Sequence, residues 1–360
     1  MEDFFLTNKP YLTAIDKASV EAEAPSNIAL VKYWGKKPNQ IPANPSVSFT
    51  LSNAKTRTRI DFEKCKSQPQ ASFEVYFEGK RNQAFKPKIA QFFERIQKHL
   101  PLLSQYHLDI FTENTFPHSS GIASSASGMA ALSLCLCDFE RRLTQTDPDV
   151  EFWKKVSFLA RLGSGSACRS LKGPVVLWGA NQADDNASDL YGTLPSFPIH
   201  QIFQDFQDTI LLIDKGEKKV SSSVGHGLMH AHPFANQRFA QAHQHLHQIK
   251  EAFSAGNIED FIRIVESEAL SLHAMMMTSE PYFLLMKPET LKVIEKIWLF
   301  RAQTNIPVCF TLDAGANVHV LYPNQVAEKV REFIQSSLLM HCENNQFIDD
   351  FIGEGAKIIS

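Results

Sequence analysis

Residues 117–132 read PHSSGIASSASGMAAL, a run of small residues and hydroxyls with almost no side-chain bulk. Placed where a strand gives way to a helix, such a loop offers the unpaired N–H groups and partial positive charge of a helix start. Gly121 permits backbone angles that expose them, and Ser124 and Ser125 add hydroxyl donors. The arrangement suits a polyphosphate. It is not a Walker A loop, because no Gly-Lys-Ser/Thr follows. The same residues also suit a Ser-rich cap over closely packed helices.

Three further stretches carry chemical groups. GSGSACRSLKG (163–173) places Ser164, Ser166 and Ser170 around Arg169. Arginine is the side chain best shaped to clamp a carboxylate through two parallel hydrogen bonds. A helix C-cap at Gly163 followed by a turn is the plainer account. Upstream, APSNIALVKYWGKK (24–37) sets Lys32, Tyr33, Lys36 and Lys37 around Trp34-Gly35. Lysines act on phosphate as mobile point charges, although such clusters are also common in solvated turns. FTLDAGANVHV (310–320) ends a strand in Asp313, followed by small residues and Asn317. An aspartate there is either a turn residue or a base with room for a substrate hydroxyl, such as one attacking a γ-phosphate.

The segment 226–247 holds six histidines, at 226, 230, 232, 243, 245 and 247. His243 and His247 share a helical face. With no HExxH and no nearby carboxylate set, a metal site is not expected, and most of these side chains are expected at the surface.

Elements must hold these groups in place. Alternation predicts strands in 46–63, 71–80 and 106–114, with a helix over 86–100 between the second and third. Helices follow over 125–143 and from about 147 to Gly163, then a strand over 173–179. The polar, turn-rich run 184–198 marks a boundary, giving domains 1–205 and 206–360. Beyond it come strands 208–216 and 307–323, with helices 233–254, 257–275 and 287–304 between them. This is an α+β order in two lobes rather than a regular βαβ series.

Bulk properties narrow the function classes. The chain has 360 residues, 44% hydrophobic and 21% charged, as in ordinary soluble enzymes. A net charge of −3 gives no general attraction to nucleic acid or anionic membrane. The N-terminal stretch lacks the apolar core of a signal peptide, and the run 129–137 is too short to span a bilayer. The six cysteines lack CxxC spacing, so reduced thiols in a cytoplasmic protein are expected.

Taken together, APSNIALVKYWGK, FPHSSGIASSASG, ARLGSGSACRSLKG and FTLDAGAN resemble the diphosphomevalonate decarboxylase family of the GHMP kinase superfamily, in its order and at about its spacing. KYWGK with GSGSACRS is the more specific part, because many small-molecule kinases share the phosphate loop. The resemblance implies a domain like ribosomal protein S5 domain 2 followed by a ferredoxin-like domain, with the active site between them. It also implies ATP and Mg²⁺, a cytoplasmic homodimer, and conversion of 5-diphosphomevalonate to isopentenyl diphosphate.

Carried onto this sequence, the resemblance makes Asp313, Arg169 and Asn27 catalytic. Tyr33, Trp34, Gly35, Lys36, Lys80, Ser164, Gly165, Ser166, Ala167, Cys168, Ser222 and Ser223 would join Arg169 in holding the substrate. Ser119, Ser120, Gly121, Ala123, Ser124 and Ser125 would cradle the nucleotide. The chain departs from the family pattern in three places: PHSSGIASS for PTAAGLASS, DAGAN for DAGPN, and Ser223 where some bacterial members carry arginine. The histidine-rich segment has no counterpart in it. A phosphomevalonate decarboxylase or mevalonate 3-kinase would share the same core. A non-catalytic metabolite-binding relative is disfavoured by the presence of both Asp313 and Arg169.

Overall fold

The computed structural model describes residues 2–7, 9–117, 122–214, 216 and 222–360, with the backbone alone for Ser222 and Ser223. Two long antiparallel strands, β1 (Lys17–Val31) and β2 (Ser46–Lys64), form its spine. Then come β3 (Ser72–Phe77), β4 (Lys80–Arg81), α1 (Lys86–Ile96), β5 (Tyr106–Asn114), α2 (Ser124–Thr144), α3 (Val150–Gly163) and β6 (Val175–Trp178). The chain continues through β7 (Gln207–Leu211), α4 (Ser222–Gly227), α5 (Ala235–Ala255), α6 (Ile258–Met277) and α7 (Pro288–Thr304). It closes with β8 (Cys309–Thr311), β9 (Val318–Tyr322), α8 (Ala327–Phe333), β10 (Phe347–Phe351) and β11 (Lys357–Ile358).

The first sheet runs β11-β1-β2-β5-β3-β4, with β6 also on β2, and only β3 and β5 pair in parallel. The second is antiparallel in the order β10-β7-β9-β8. Counted within that lobe, the strands lie 4-1-3-2, with helices after the first and third, which is the split βαβ, ferredoxin-like arrangement. β11 returns to β1, so the chain's last strand completes the first sheet.

β1 shows why the site forms where it does. Its first half alternates, with Val20, Ala22 and Ala24 buried and Lys17, Ser19 and Glu23 facing outward. Past an irregularity in register between Pro25 and Asn27, every residue to Val31 is buried. The reason is a second covering layer. Ile28, Leu30, Val47 and Phe49 share one cluster with Phe206, Phe253 and Phe261 from the C-terminal lobe. The lobes are also pinned by Asp350, whose carboxylate accepts from the N–H groups of Ser52, Asn53 and Ala54 at 2.7–2.8 Å.

Local signals explain the helices. Asp149 caps α3 by accepting from Phe152 N–H at 2.7 Å, and Asn257 caps α6 by accepting from Asp260 N–H at 3.1 Å. α2 is buried almost all round, between the sheet and α3, which its Ala, Ser, Gly and Cys residues allow.

Some elements differ from the sequence reading. The strand expected over 208–216 ends at Leu211, and β1, β10 and β11 were not anticipated. β1 reads as polar and alanine-rich, and its partner strands, not its composition, make it a strand.

Candidate active site

A cavity of about 570 Å³ lies between the lobes. One end is charged. There Arg169 sits in a 3₁₀ turn, Gly165–Ser170, directly after α3. It is 2% exposed. Its Nη1 donates to Ser46 Oγ at 2.7 Å, and its Nη2 and Nε donate to Asn27 Oδ1 at 3.3 and 3.4 Å. Asn27 is fixed in turn by donating to Ser170 Oγ at 2.8 Å and Ser166 O at 3.2 Å. Among the described residues no carboxylate is within ion-pair distance of Arg169, and the only one whose charge it feels is Asp313. Burial pushes the guanidinium pKa down, and the Asp313 charge opposes that. A cation held dry by neutral partners is costly, and an anionic ligand removes that cost.

Asp313 occupies the turn between β8 and β9, and its carbonyl accepts from His273 Nε2 at 3.1 Å and Gly315 N–H at 2.8 Å. A carbonyl can only accept, so His273 carries its proton on Nε2. Burial holds that ring's pKa down to about 4. The Asp313 carboxylate is 3.5 Å from Lys32 Nζ, with the lysine side chain 2% exposed and the aspartate 29%. Lys32 Nζ also donates to Ala29 O at 2.6 Å. Burial lowers the Lys32 pKa, and the charges of Asp313 and Glu268 counter it.

Behind this pair lies a buried ionic cluster. Glu268 accepts from Lys32 N–H at 2.8 Å and from His245 at 2.6 Å, and pairs with Arg238. Tyr33 stands over Trp178 with 4.6 Å between ring centres, and its buried hydroxyl has no partner among the described residues.

The other end is apolar. Phe77, Phe85, Ile89, Ile110, Met129 and Leu132 form its walls, with Thr56, Thr58, Thr112 and Asn114 along the sheet. α2 starts at the junction of the two ends. Its first turn lacks a side-chain cap, and Ala123 before it is left-handed, at φ +40°. The opening N–H groups are thus left for a ligand. Ser125 Oγ lies 3.3 Å from Ser164 Oγ and links this helix start to the arginine turn.

Of the residues expected from the sequence, Asn27, Tyr33, Trp34, Lys36, Ala123, Ser124, Ser125, Ser164, Gly165, Ser166, Arg169 and Asp313 all line this one cavity. Gly35 stands behind it, its N–H bonded to His226. Ala167 and Cys168 are buried inside the 3₁₀ turn, outside the cavity lining. Cys168 Sγ donates to Gly165 O at 3.1 Å, and burial pushes its thiol pKa up to about 12. Both shape the turn. Lys80 is exposed on β4 and lies outside the lining, whereas Lys88 on α1 is part of it. Ser119, Ser120 and Gly121 lie outside the described residues, as do the side chains of Ser222 and Ser223.

The expectation that most of the clustered histidines are exposed needs correction. His226, His232 and His245 are buried, and only His230, His243 and His247 are exposed. The buried rings fall where α4 and α5 pack on the KYWG segment and on α6. No group of three potential metal ligands occurs among the described residues. Sequence reasoning also missed the pairing of Lys32 with Asp313 and the whole apolar wall. Lys32 was visible as one lysine of a cluster, but nothing along the chain sets it apart from Lys36 and Lys37.

The two-lobed α+β frame, with its phosphate-type helix start, defines a protein of GHMP kinase-like fold. The chain belongs to the diphosphomevalonate decarboxylase family. Residues 24–189 match the model of the diphosphomevalonate decarboxylase-like N-terminal domain, and residues 209–356 match that of the mevalonate 5-diphosphate decarboxylase C-terminal domain. The chain is 30% identical to the diphosphomevalonate decarboxylase of Aspergillus fumigatus, over 88% of this chain and 79% of that one. Among solved structures it is similar to mevalonate diphosphate decarboxylase from Staphylococcus aureus, with TM-score 0.80 and 27% identity over 96% of this chain and 98% of that one. It is equally similar to MDDEF in complex with MVAPP, AMPPCP and magnesium, with TM-score 0.80 and 28% identity over 95% and 99%.

Proposed function

We propose that this cleft carries out the ATP-dependent decarboxylation of 5-diphosphomevalonate to isopentenyl diphosphate, with ADP, phosphate and CO₂ as the other products. The observation that carries the reading is Arg169, an enclosed cation with no carboxylate at ion-pair distance among the described residues, lining the same cavity as the Asp313–Lys32 pair. The complex of a relative with MVAPP, AMPPCP and magnesium supports it.

In the first step the C3 hydroxyl oxygen of the acceptor bonds to the γ-phosphorus of ATP as the bond from that phosphorus to the β-phosphate oxygen breaks. Asp313 takes the hydroxyl proton or aligns its donor. Lys32, fixed by Ala29 O and by Glu268 through its own amide, keeps the carboxylate aimed from one side. In the second step the C3–O bond breaks and phosphate leaves. The C1–C2 bond then breaks, its electron pair forming the C2=C3 double bond while CO₂ departs. Arg169, held flat by Asn27 and Ser46, binds the carboxylate until that point.

The nucleotide fits the other end. The apolar walls suit a base, and the uncapped start of α2 with Ser124 and Ser125 suits the phosphates. Magnesium needs no dedicated cage, since it is usually held by substrate phosphates with one or two protein oxygens. The oxygens at the junction, Ser124, Ser125 and Asp313, are the candidates here. Bound there, the ion would neutralise phosphate charge.

The test is ADP and CO₂ released per acceptor consumed, with mevalonate, its 5-phosphate and its 5-diphosphate compared. Equal ADP and CO₂ from the diphosphate alone is the expected result. The monophosphate is the control that matters, because Lys80, one of the residues expected to hold the substrate, lies outside the cavity lining. Equal release from the monophosphate reassigns the acceptor, and ADP without CO₂ leaves a kinase. The same resemblance carries the expectation of a homodimer, which sedimentation checks.

A further inference from the structure

One histidine of the clustered six enters the cleft, and the chemistry above does not use it. His226, on α4, is 9% exposed and lines the cavity together with Tyr33, Lys36 and Arg169. Its ring centre lies 4.2 Å from that of Tyr33 and 4.7 Å from that of Trp34. Two contacts lock α4 in this position. Gly35 N–H donates to His226 Nδ1 at 3.0 Å. Gly225 packs so closely on Trp34 that a Cβ there would sit 2.5 Å from the indole, so only glycine fits.

These contacts settle the tautomer. An amide N–H can only donate, so His226 Nδ1 must offer its lone pair. Burial, and then the charges of Lys36 and Arg169, hold the ring's pKa down to about 3, so the ring is neutral at working pH. A neutral imidazole with an accepting Nδ1 carries its proton on Nε2. Among the described residues the bond from Gly35 is the ring's only hydrogen bond, so that Nε2–H is free to meet a molecule in the cleft that the ring lines. The hydroxyl of Tyr33, against which the ring stacks, is buried and, among the described residues, without a partner. Two free donors beside two cations suit an anionic oxygen.

We infer that His226 is a specificity-determining residue of the acceptor site, donating from Nε2–H to a phosphate oxygen of the acceptor in a tautomer fixed by the Gly35 amide. The inference rests on the decarboxylase reading of the cleft. Phosphate is the oxygen class indicated, because Arg169 is the group shaped for the carboxylate and His226 shares its cavity with the Lys36 ammonium, a point charge suited to phosphate. Being neutral, the ring adds direction without adding charge to a wall that is already cationic.

The experiment compares wild type, His226→Phe and His226→Gln with 5-diphosphomevalonate and ATP as the varied substrates. Phenylalanine keeps the stacking and removes the donor; glutamine can still accept from Gly35 and donate onward. The expected result is an acceptor KM raised roughly tenfold or more in His226→Phe, an unchanged ATP KM, and substantial recovery in His226→Gln. An acceptor KM within about twofold of wild type in His226→Phe, or an equal loss for both substrates, overturns the proposal. Should that variant not fold, the wild-type imidazole NMR spectrum decides. Its Nε2–H proton must shift when the diphosphate is added without nucleotide, and an unmoved signal overturns the assignment. A wild type that converts the diphosphate while His226→Phe is unaffected sinks the His226 role alone; a wild type that converts nothing sinks both readings.

Discussion

The two ends of the cleft are built on different principles. At the acceptor end, charged and polar side chains are held by one another and by main-chain carbonyls: Arg169 by Asn27 and Ser46, Lys32 by Asp313 and Ala29 O, and the Asp313 carbonyl by His273. At the nucleotide end, apolar side chains from β3, β5, α1 and α2 form a wall, and the polar contribution is mainly backbone N–H at a helix start. Under the proposed reaction, the difference is between groups that would act on the reacting atoms and surfaces that would only hold. The first kind tolerates no change of residue type. The second tolerates many, because any apolar side chain of suitable size makes a wall.

The sharpest break in that contrast is Asp313→Asn. It should lower kcat by roughly 10²- to 10⁴-fold, with binding of both substrates largely kept, as measured by ADP release beside calorimetric titration. Retention of more than a tenth of wild-type kcat would remove Asp313 from proton transfer. Arg169→Gln comes next. Loss of a buried charged hydrogen-bonding partner should cost about 2–5 kcal/mol in kcat/KM for the acceptor. The ATP KM should hold and Tm should change little, because the uncompensated cation leaves with the side chain. A collapse of Tm without an acceptor effect would make Arg169 purely structural.

The pH dependence of stability probes the same end in the absence of ligand. His226 and His273 have pKa values held down to about 3 and about 4 by burial. Between those values and the ordinary value of 6.5, the unfolded chain therefore binds protons that the folded one does not. Stability must fall as pH drops below 6.5, by up to about 1.4 kcal/mol per pH unit for each ring. Chemical denaturation between pH 7 and about 4.5 should show that slope, and His273→Gln should reduce it by that ring's share, with His226 and two further rings lowered by burial, His99 and His341, supplying the rest. A flat profile would mean that these rings are not held neutral.

The smallest expected effect tests the nucleotide end. Gly128, on α2, lines the cavity, and a Cβ there would meet nothing within 4 Å. Gly128→Ala should stabilise the free protein by about 0.5–1 kcal/mol through helix propensity. If the nucleotide lies along this turn, the same change should raise the ATP KM and leave the acceptor KM alone. An unchanged ATP KM would move the nucleotide off this face.

The contrast between the two ends also sets what could be read along the chain. The acceptor end was legible because few residue types do its chemistry, and they cluster in short runs. YWGK, GSGSACR and DAGAN each hold their groups within a few positions. Lys80 shows the reverse: a lone lysine on a strand has no local pattern to say which way it faces, and here it is exposed, outside the cavity lining. Ala167 and Cys168 were carried along by their neighbours, although the 3₁₀ turn points them into the core. The apolar wall was not legible at all. Phe77, Ile110 and Met129 come from three separate elements, and as hydrophobic residues they look the same whether they line a site or fill a core.

The type of most elements, though not of β1, β10 or β11, followed from periodicity; Arg169 and Asp313 stood out by residue chemistry, and the family followed from four motifs taken together. What only the folded molecule decides is which of several equivalent groups meet. Lys32 rather than Lys36 or Lys37 reaches Asp313, because β1 becomes buried on both faces just where the C-terminal lobe docks. His226 rather than its five neighbours enters the cleft, because α4 closes on Trp34 through a glycine. Those choices are contacts between residues more than 190 positions apart along the chain, set by how two sheets and their helices pack, and no short-range pattern encodes them.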